Sequence, residues 1–341
     1  MNLTQLFAFM FCVNLLQCLT TVCPVYDMNA YEPVHMFAIG DWGGTNRFPF
    51  YTRKQLHVAK QMQLYAAHTN VSFVLSLGDN FYPNGVESPT DERFKQTFED
   101  IYVKESLKST PWFVIAGNHD HRNRLVDSQI KYSELSNVWK FPGYIHMLKL
   151  KIRGQKKVVT VKFIMIDTSI MCNLYEFNNS SPNILNKTYF EAIEQALKEN
   201  TVKTDLKILV GHHPIYTAME QRKNSQCMNQ NLLKLMKTYS INSYICGHDH
   251  TLQYSSVKVR DTHQLIHLFV SGAGKELYNS PRIFEDESSK QQIDKVKTDF
   301  YWSRQNDDSA GFMSISFYLN KFIATFINTK GVNLFSKEIH F

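Results

Sequence analysis

Residues 243–254 read SYICGHDHTLQY: a short apolar run, a glycine, and then two imidazoles, His248 and His250, on either side of Asp249. Alone, a His-x-His pair in a loop is a solvated turn, so its meaning depends on what the rest of the chain supplies. The same sentence structure recurs. VHMFAIG (34–40) leads to Asp41-Trp42-Gly43-Gly44, and VSFVLSLG (71–78) leads to Asp79-Asn80-Phe81-Tyr82. PWFVIAG (111–117) leads to Asn118-His119-Asp120, and LKILVG (206–211) leads to His212-His213-Pro214. KFIMI (162–166) runs into Asp167-Thr168, and IHLFVSG (266–272) into Ala273-Gly274. Runs of this length, rich in Val, Ile and Phe, read as buried strands.

Helical patterns lie between several of these runs. Val58, Met62, Tyr65 and Ala66 fall on one helical face. Phe190, Ile193 and Leu197 make a second stripe, with Thr188 and Glu191 spaced as a capping box before it. Leu232, Leu233 and Met236 mark a third helix over 230–239. These stripes are core-facing and carry no chemistry. Strand–helix–strand alternation predicts an α/β fold. The C-terminal part departs from it: residues 310–336 read as two strands joined at Leu319-Asn320-Lys321, with no helix between them. The expectation is therefore a β-sandwich with helices outside.

The chain has 341 residues, 43% hydrophobic and 20% charged, which excludes a disordered or fibrous protein. The net charge of +6 is not gathered into a Lys/Arg block, so nucleic acid is not expected as a partner. A mild positive bias suits anionic substrates. Residues 6–16 are nearly all apolar, the length of a signal-peptide core and short for a membrane span, although no Lys or Arg precedes them. Residues 1–22 are read as a signal peptide and 23–341 as a single domain. No later stretch is long and apolar enough to span a bilayer, so the expectation is a soluble, exported monomer in the secretory pathway. Segment 281–308, polar and charged, reads as an exposed excursion.

Of the six cysteines, Cys12 and Cys18 fall in the signal and Cys23 beside it. Among Cys172, Cys227 and Cys246, two are able to pair in an oxidising compartment. Cys246 lies in an apolar run and reads as a buried thiol, which favours Cys172 with Cys227. Glycosylation triplets begin at Asn70, Asn178, Asn179 and Asn186. Asn70 abuts a strand, and the others sit in a polar loop where a glycan is easier to place.

In open α/β sheets, ligands bind beyond the carboxyl ends of the strands. Five of these ends read Gly followed by Asp, Asn or His. Each alone is turn chemistry; together they offer a donor set. The residue types suit two metal ions about 3.5–4 Å apart. One Asp would bridge with its two oxygens, imidazoles favour transition metals over magnesium or calcium, and an Asn carbonyl binds without adding charge.

The blocks GDWGG, GDNFY, GNHDH, GHHP and GHDH resemble those of the metallophosphoesterase superfamily, and Tyr82 in GDNFY resembles the purple acid phosphatases. The surrounding text (GVESPTDERFKQTFEDIY, PWFVIAGNHDHR, WKFPGY, GHDHTLQY and FVSGAG) is similar to the small animal-type tartrate-resistant acid phosphatases, from about residue 34 to the C-terminus. The resemblance implies a four-layer α/β/β/α sandwich of two mixed sheets flanked by helices. It implies that Asp41, Asp79, Tyr82 and His250 hold iron(III), and that Asp79, Asn118, His212 and His248 hold a divalent ion, iron(II), zinc or manganese, with Asp79 shared. His248 and His250 would then serve one ion each. Three anionic ligands against a 3+/2+ pair leave about +2, or about +1 with a bound hydroxide, suited to a phosphate monoester dianion. Iron(III), a stronger Lewis acid than zinc, would keep hydroxide available at acid pH for in-line attack on phosphorus.

The resemblance places His119 near the leaving-group oxygen; Asp120, next in sequence, is read as orienting it. Where animal-type relatives carry a second substrate-side histidine, this chain has Gln221, and His213 stands where relatives often have Tyr; both are substrate-binding candidates. Residues 173–187 fall where relatives carry an exposed loop whose cleavage raises activity, and Cys172 and Cys227 match a disulfide pair. The expected substrates are small phosphomonoesters or phosphoproteins, and the destination is secretion or a lysosome- or vacuole-like acidic compartment. Two other readings stand beside this one. A phosphodiesterase or nucleotide pyrophosphatase of the same superfamily is opposed by Tyr82. A non-catalytic membrane or motor-complex anchor is opposed by the complete ligand set.

Overall fold

The apolar runs that end in glycine all form strands, and they fall into two sheets. In the computed structural model the described residues are 23–29, 33–172, 182–198, 204–217, 227–258, 264–276, 300–302 and 310–341, with backbone alone for 124, 182–186, 300 and 302. In chain order the strands are β1 (Val25–Asn29), β2 (Val34–Ile39), β3 (Val71–Ser76), β4 (Trp112–Val114), β5 (Trp139–Lys140), β6 (Ile145–Arg153), β7 (Val158–Ile166), β8 (Leu206–Val210), β9 (Ser243–Cys246), β10 (Leu252–Lys258), β11 (Leu265–Ser271), β12 (Phe300–Trp302), β13 (Gly311–Phe317), β14 (Lys321–Asn328) and β15 (Asn333–His340).

One sheet runs β1-β6-β7-β8-β9-β11-β10-β12 and the other β15-β14-β13-β2-β3-β4-β5. Both are mixed. β2, β3, β4 and β5 are parallel in one and β7, β8, β9 and β11 in the other; antiparallel pairings extend both blocks, and β1 joins β6 in parallel. The inner faces meet in a core that includes Phe73, Leu75, Phe113, Phe163, Ile208, Phe269 and Met313. Residues 168–171, 182–198 and 228–238 form helices that bury Ile170, Tyr189, Ile193, Leu197 and Met236 against the outer face of the first sheet. Helix Arg53–Ala66 and the helical segments at 94–102 and 126–132 cover the second with Val58, Met62, Phe98 and Tyr132. The layers are α/β/β/α, as expected for a metallophosphoesterase sandwich.

The parallel blocks of the two sheets end along one rim, where their backbones are stitched together. Gly40 N donates to Ser271 O at 2.7 Å, Gly274 N to Gly40 O at 3.2 Å, and Ser271 Oγ to Ala38 O at 2.9 Å. Every glycine-led polar cluster emerges at that rim.

Two local expectations are corrected. Helix Pro182–Lys198 begins upstream of Thr188, so Thr188 lies inside the helix and is not its N-cap. Proline at the first position is pre-organised for helix, and the Tyr189-Ile193-Leu197 face has a sheet to cover. Residues 182–187 are accordingly helical rather than part of a loop, while 173–181 lie outside the described residues. The C-terminal pair expected over 310–336 is present as β13 and β14, and β15 joins it as a third, antiparallel edge strand. Of segment 281–308, the described residues are 300–302, which form β12. Cys172 and Cys227 are disulfide-bonded across 55 residues, and Cys246 is a buried thiol. The signal segment 1–22 and Asn178 and Asn179 lie outside the described residues, as does the Asn186 side chain. Among the described residues no helix is long and apolar enough to cross a membrane.

Phe73 is a single test of the sandwich. On β3, its ring meets Phe113 of its own sheet at 5.8 Å and Phe163 of the opposite sheet at 5.6 Å, edge to face. Phe73→Ala is expected to cost about 3–5 kcal/mol in urea unfolding, the range for a fully buried aromatic.

Candidate metal centre

The strand ends turn sharply into the rim. Asp41, Asp79 and His248 have left-handed φ values of 58°, 54° and 68°, a conformation that costs most side chains energy and is kept where the surroundings over-determine it. The preceding glycines make room. Gly78 is itself left-handed at φ 91°, and a Cβ on Gly117 would lie 2.2 Å from Asp79 Oδ1. The glycine pattern thus reports close approach of carboxylate to backbone, beyond turn chemistry.

Two donor groups result. In the first, Tyr82 Oη lies 3.0 Å from Asp41 Oδ1, 2.9 Å from Asp79 Oδ2 and 3.0 Å from His250 Nε2. His250 Nε2 is also 3.5 Å from Asp41 Oδ1. In the second, His212 Nε2 lies 3.2 Å from Asn118 Oδ1, 3.3 Å from His248 Nδ1 and 3.5 Å from Asp79 Oδ1. Asp79 faces one group with each oxygen. Asp41, Asp79 and His212 offer ligand atoms within 4.8 Å of one another, and so do His212, His213 and His248.

Surrounding groups fix these side chains. His212 Nδ1–H donates to Leu77 O at 2.8 Å, which leaves the Nε2 lone pair facing the centre. Thr168 Oγ1 accepts from the backbone N–H of His212 and of His213, and holds His213 Nδ1 at 2.8 Å. Asp41 Oδ2 accepts from His248 N at 2.7 Å, and Asp79 Oδ1 from His119 N at 2.8 Å. Each acid therefore also braces the loop that carries the next donor.

The electrostatics of this nest fit cations. Asp41 and Asp79 are 0% and 1% exposed. Among the described residues their side-chain partners within ion-pair or hydrogen-bond distance are histidines and Tyr82, with no Lys or Arg. Burial raises the Tyr82 pKa well above normal, and the two carboxylates raise it further. Burial lowers that of His250, yet Asp41 and Glu276 outweigh it and lift it to about 9. Carboxylates, imidazoles, a phenol and an amide oxygen, gathered around one shared acid, are the donor chemistry of two transition-metal ions.

His119 stands at the edge of the nest, its side chain 21% exposed and its ring 4.3 Å from that of Tyr82. Its Nδ1 lies 2.7 Å from Pro83 O, and its Nε2 is 3.8 Å from Asp79 Oδ2. Burial lowers its pKa, and Asp79 partly offsets this. The expected orienting role of Asp120 is corrected: the Pro83 carbonyl orients His119. Asp120 points the other way, fully buried. It accepts from Gly117 N at 2.8 Å, Asn80 N at 3.1 Å, Phe81 N at 3.2 Å, Asn80 Nδ2 at 3.2 Å and Gln129 Nε2 at 2.8 Å. It binds the Asp79–Tyr82 loop to the Asn118 loop, and burial with the Asp79 charge raises its pKa to about 7. Gln221 lies outside the described residues.

Two participants are not visible in the motifs, and a third lies inside one. Lys275 and Glu276 follow the FVSGAG block; their contacts with Tyr82 and His250 come from tertiary placement. His121, the second histidine of GNHDH, sits one helical turn past Asn118, a spacing that does offer a signal. Its Nε2 lies 2.6 Å from Asp167 Oδ2. Asp167 in turn caps helix Thr168–Met171 through Ile170 N. This pair joins the rims of the two sheets.

The calcineurin-like phosphoesterase family pattern matches residues 35–252. Tartrate-resistant acid phosphatase type 5 of Sus scrofa is 33% identical over 320 residues, covering 91% of this chain and 88% of that protein. Purple acid phosphatase 4 of Arabidopsis thaliana is 28% identical over 316 residues, covering 88% and 82%. Among solved structures, GAP50, the anchor in the inner membrane complex of Plasmodium, superposes with a TM-score of 0.70 at 22% identity, covering 90% of this chain and 89% of that one.

His121→Gln tests the rim clamp. Burial lowers the His121 pKa, but Asp167 reverses this and raises it above the ordinary 6.5. A group with a raised folded pKa contributes fully below its unfolded value and loses that contribution as pH rises through the folded one. The variant is expected to lose about 2–3 kcal/mol at about pH 6, and less at about pH 9, in urea unfolding.

Proposed function

The chain belongs to the calcineurin-like phosphoesterase family, and we propose that it is a metal-dependent acid phosphatase hydrolysing phosphate monoesters at a two-ion centre. The observation that supports this reading most is Asp79, whose two oxygens face different donor groups. Asp41, Asp79, Tyr82 and His250 would hold iron(III), and Asp79, Asn118, His212 and His248 a divalent iron, zinc or manganese ion. A phenol between two buried carboxylates ionises only beside a highly charged cation, which favours iron(III) at Tyr82. When bound, the ions supply positive charge for the phosphoryl oxygens and lower the pKa of water, so that in-line hydrolysis proceeds in acid.

The protein's own groups do the rest. Leu77 O and Thr168 hold His212 in the tautomer and orientation a ligand needs. With Nδ1–H donated to Pro83 O, His119 keeps Nε2 for a proton that passes to the leaving-group oxygen. His213, anchored on Thr168, and Gln221 are assigned to the phosphate. Asp120 is structural in this scheme. Small phosphomonoesters or phosphoproteins are the proposed substrates, for a monomeric enzyme of a single unit over 23–341. The Cys172–Cys227 disulfide and the signal-like segment 1–22 support a secretory route to an acidic compartment.

Two measurements test this. Purified protein should absorb in the visible through Tyr82-to-iron charge transfer, and Tyr82→Phe should abolish the band. A colourless protein holding zinc or manganese alone would favour the phosphodiesterase reading. His119→Ala should lower turnover on an aryl phosphate by about 10²-fold or more with metal content unchanged. Loss of metal instead would make His119 structural.

A further inference from the structure

Just past β11, the backbone is held by Gly274 N on Gly40 O and by Thr52 Oγ1 on Lys275 O at 3.0 Å. The two side chains that follow turn back toward the nest. Lys275, 8% exposed, places Nζ 3.5 Å from the centroid of the Tyr82 ring and donates to Gly44 O at 3.3 Å. Glu276 places Oε1 3.2 Å from His250 Nδ1 and 3.4 Å from Lys275 Nζ. Tyr82 and His250 are neighbours through Tyr82 Oη and His250 Nε2, at 3.0 Å. A cation and an anion, adjacent in sequence, thus reach the outer sides of two donors that share one group.

We propose that Lys275 and Glu276 set the electronic character of the ion held by Tyr82 and His250, Lys275 acting through the phenolate and Glu276 through the imidazole. The proposal rests on the assignment of iron(III) to that group. Neither residue touches substrate; both are positioning residues. Both act on the same charge-transfer band. The transition moves electron density off the Tyr82 ring, and a cation over the ring opposes that movement, so Lys275 shifts the band to shorter wavelength. A carboxylate on the far nitrogen of a ligating histidine raises the basicity of the ligand, makes the ferric ion a poorer electron acceptor and moves the band the same way. The Lys275–Glu276 contact also positions both side chains, so the two influences are built as a unit.

The test is made on the iron-loaded full chain by visible spectroscopy, with iron content measured alongside. Lys275→Met should keep its iron and move the band to longer wavelength by on the order of tens of nanometres. Lys275→Arg should restore the band. Glu276→Gln should also move the band to longer wavelength. A coloured Lys275→Met protein with full iron and an unmoved band overturns the proposal while leaving the phosphatase reading intact. A colourless wild type overturns the iron assignment and this proposal with it. If Lys275→Met fails to load iron, Glu276→Gln decides: an unmoved band at full iron overturns the pairing of roles, and a shift to longer wavelength supports it.

Discussion

Two carboxylates buried side by side are the constraint on which the rim of this protein depends. Asp41 and Asp79 lie beneath the surface with a phenol and imidazoles around them and no Lys or Arg in ion-pair reach among the described residues. Removing charges of one sign from water without compensation costs several kcal/mol for each. The arrangement is therefore organised around positive charge that the side chains only partly provide. The same carboxylates accept backbone N–H groups of His248 and His119, so the loops that present the donors are shaped by the groups they surround. Folding of the rim and assembly of the centre are one problem.

That coupling explains what could be read from the chain in advance. Strand ends were legible because parallel strands buried on both faces need unbroken apolar runs, and the acids and imidazoles follow at once. The glycines before Asp79 and Asn118 were legible as signals, though their purpose was not: clearance from a carboxylate is a tertiary fact. Asp120 was misread because proximity in sequence to His119 suggested contact, whereas a helical turn aims the residues apart. The N-terminal boundary of helix Pro182–Lys198 lies upstream of the Thr188–Glu191 pair because a capping pair is a local signal, and a proline six residues earlier offers a start pre-organised for helix. β5 and β12, at two and three residues, are too short for any periodicity to announce.

The architecture divides labour between layers and rim. The intersheet core, with Phe73, Phe163 and Phe269, and the two helical layers contain none of the donor residues. A structure solved for a membrane-complex anchor shares this layered plan at 22% identity. A shared plan does not by itself assign a function, which must be argued from the rim. Here the donors are held by contacts of their own: Leu77 on His212, Thr168 beneath His212 and His213, and Asp120 across Asn80 and Gly117.

The left-handed backbone at Asp41, Asp79 and His248 has a consequence for how such a centre can change over generations. Asn, Asp and His are the side chains that tolerate this conformation best, glycine aside. They are also oxygen and nitrogen donors. Backbone sterics and coordination chemistry thus draw on nearly the same small alphabet at these positions. A lineage that abandoned the chemistry would find Asn or Gly the least disruptive substitutes, and a β-branched residue would damage the loop before any question of affinity arose. Decay at this rim should leave an imprint, with extinct sites spelled in residues that still look like ligands.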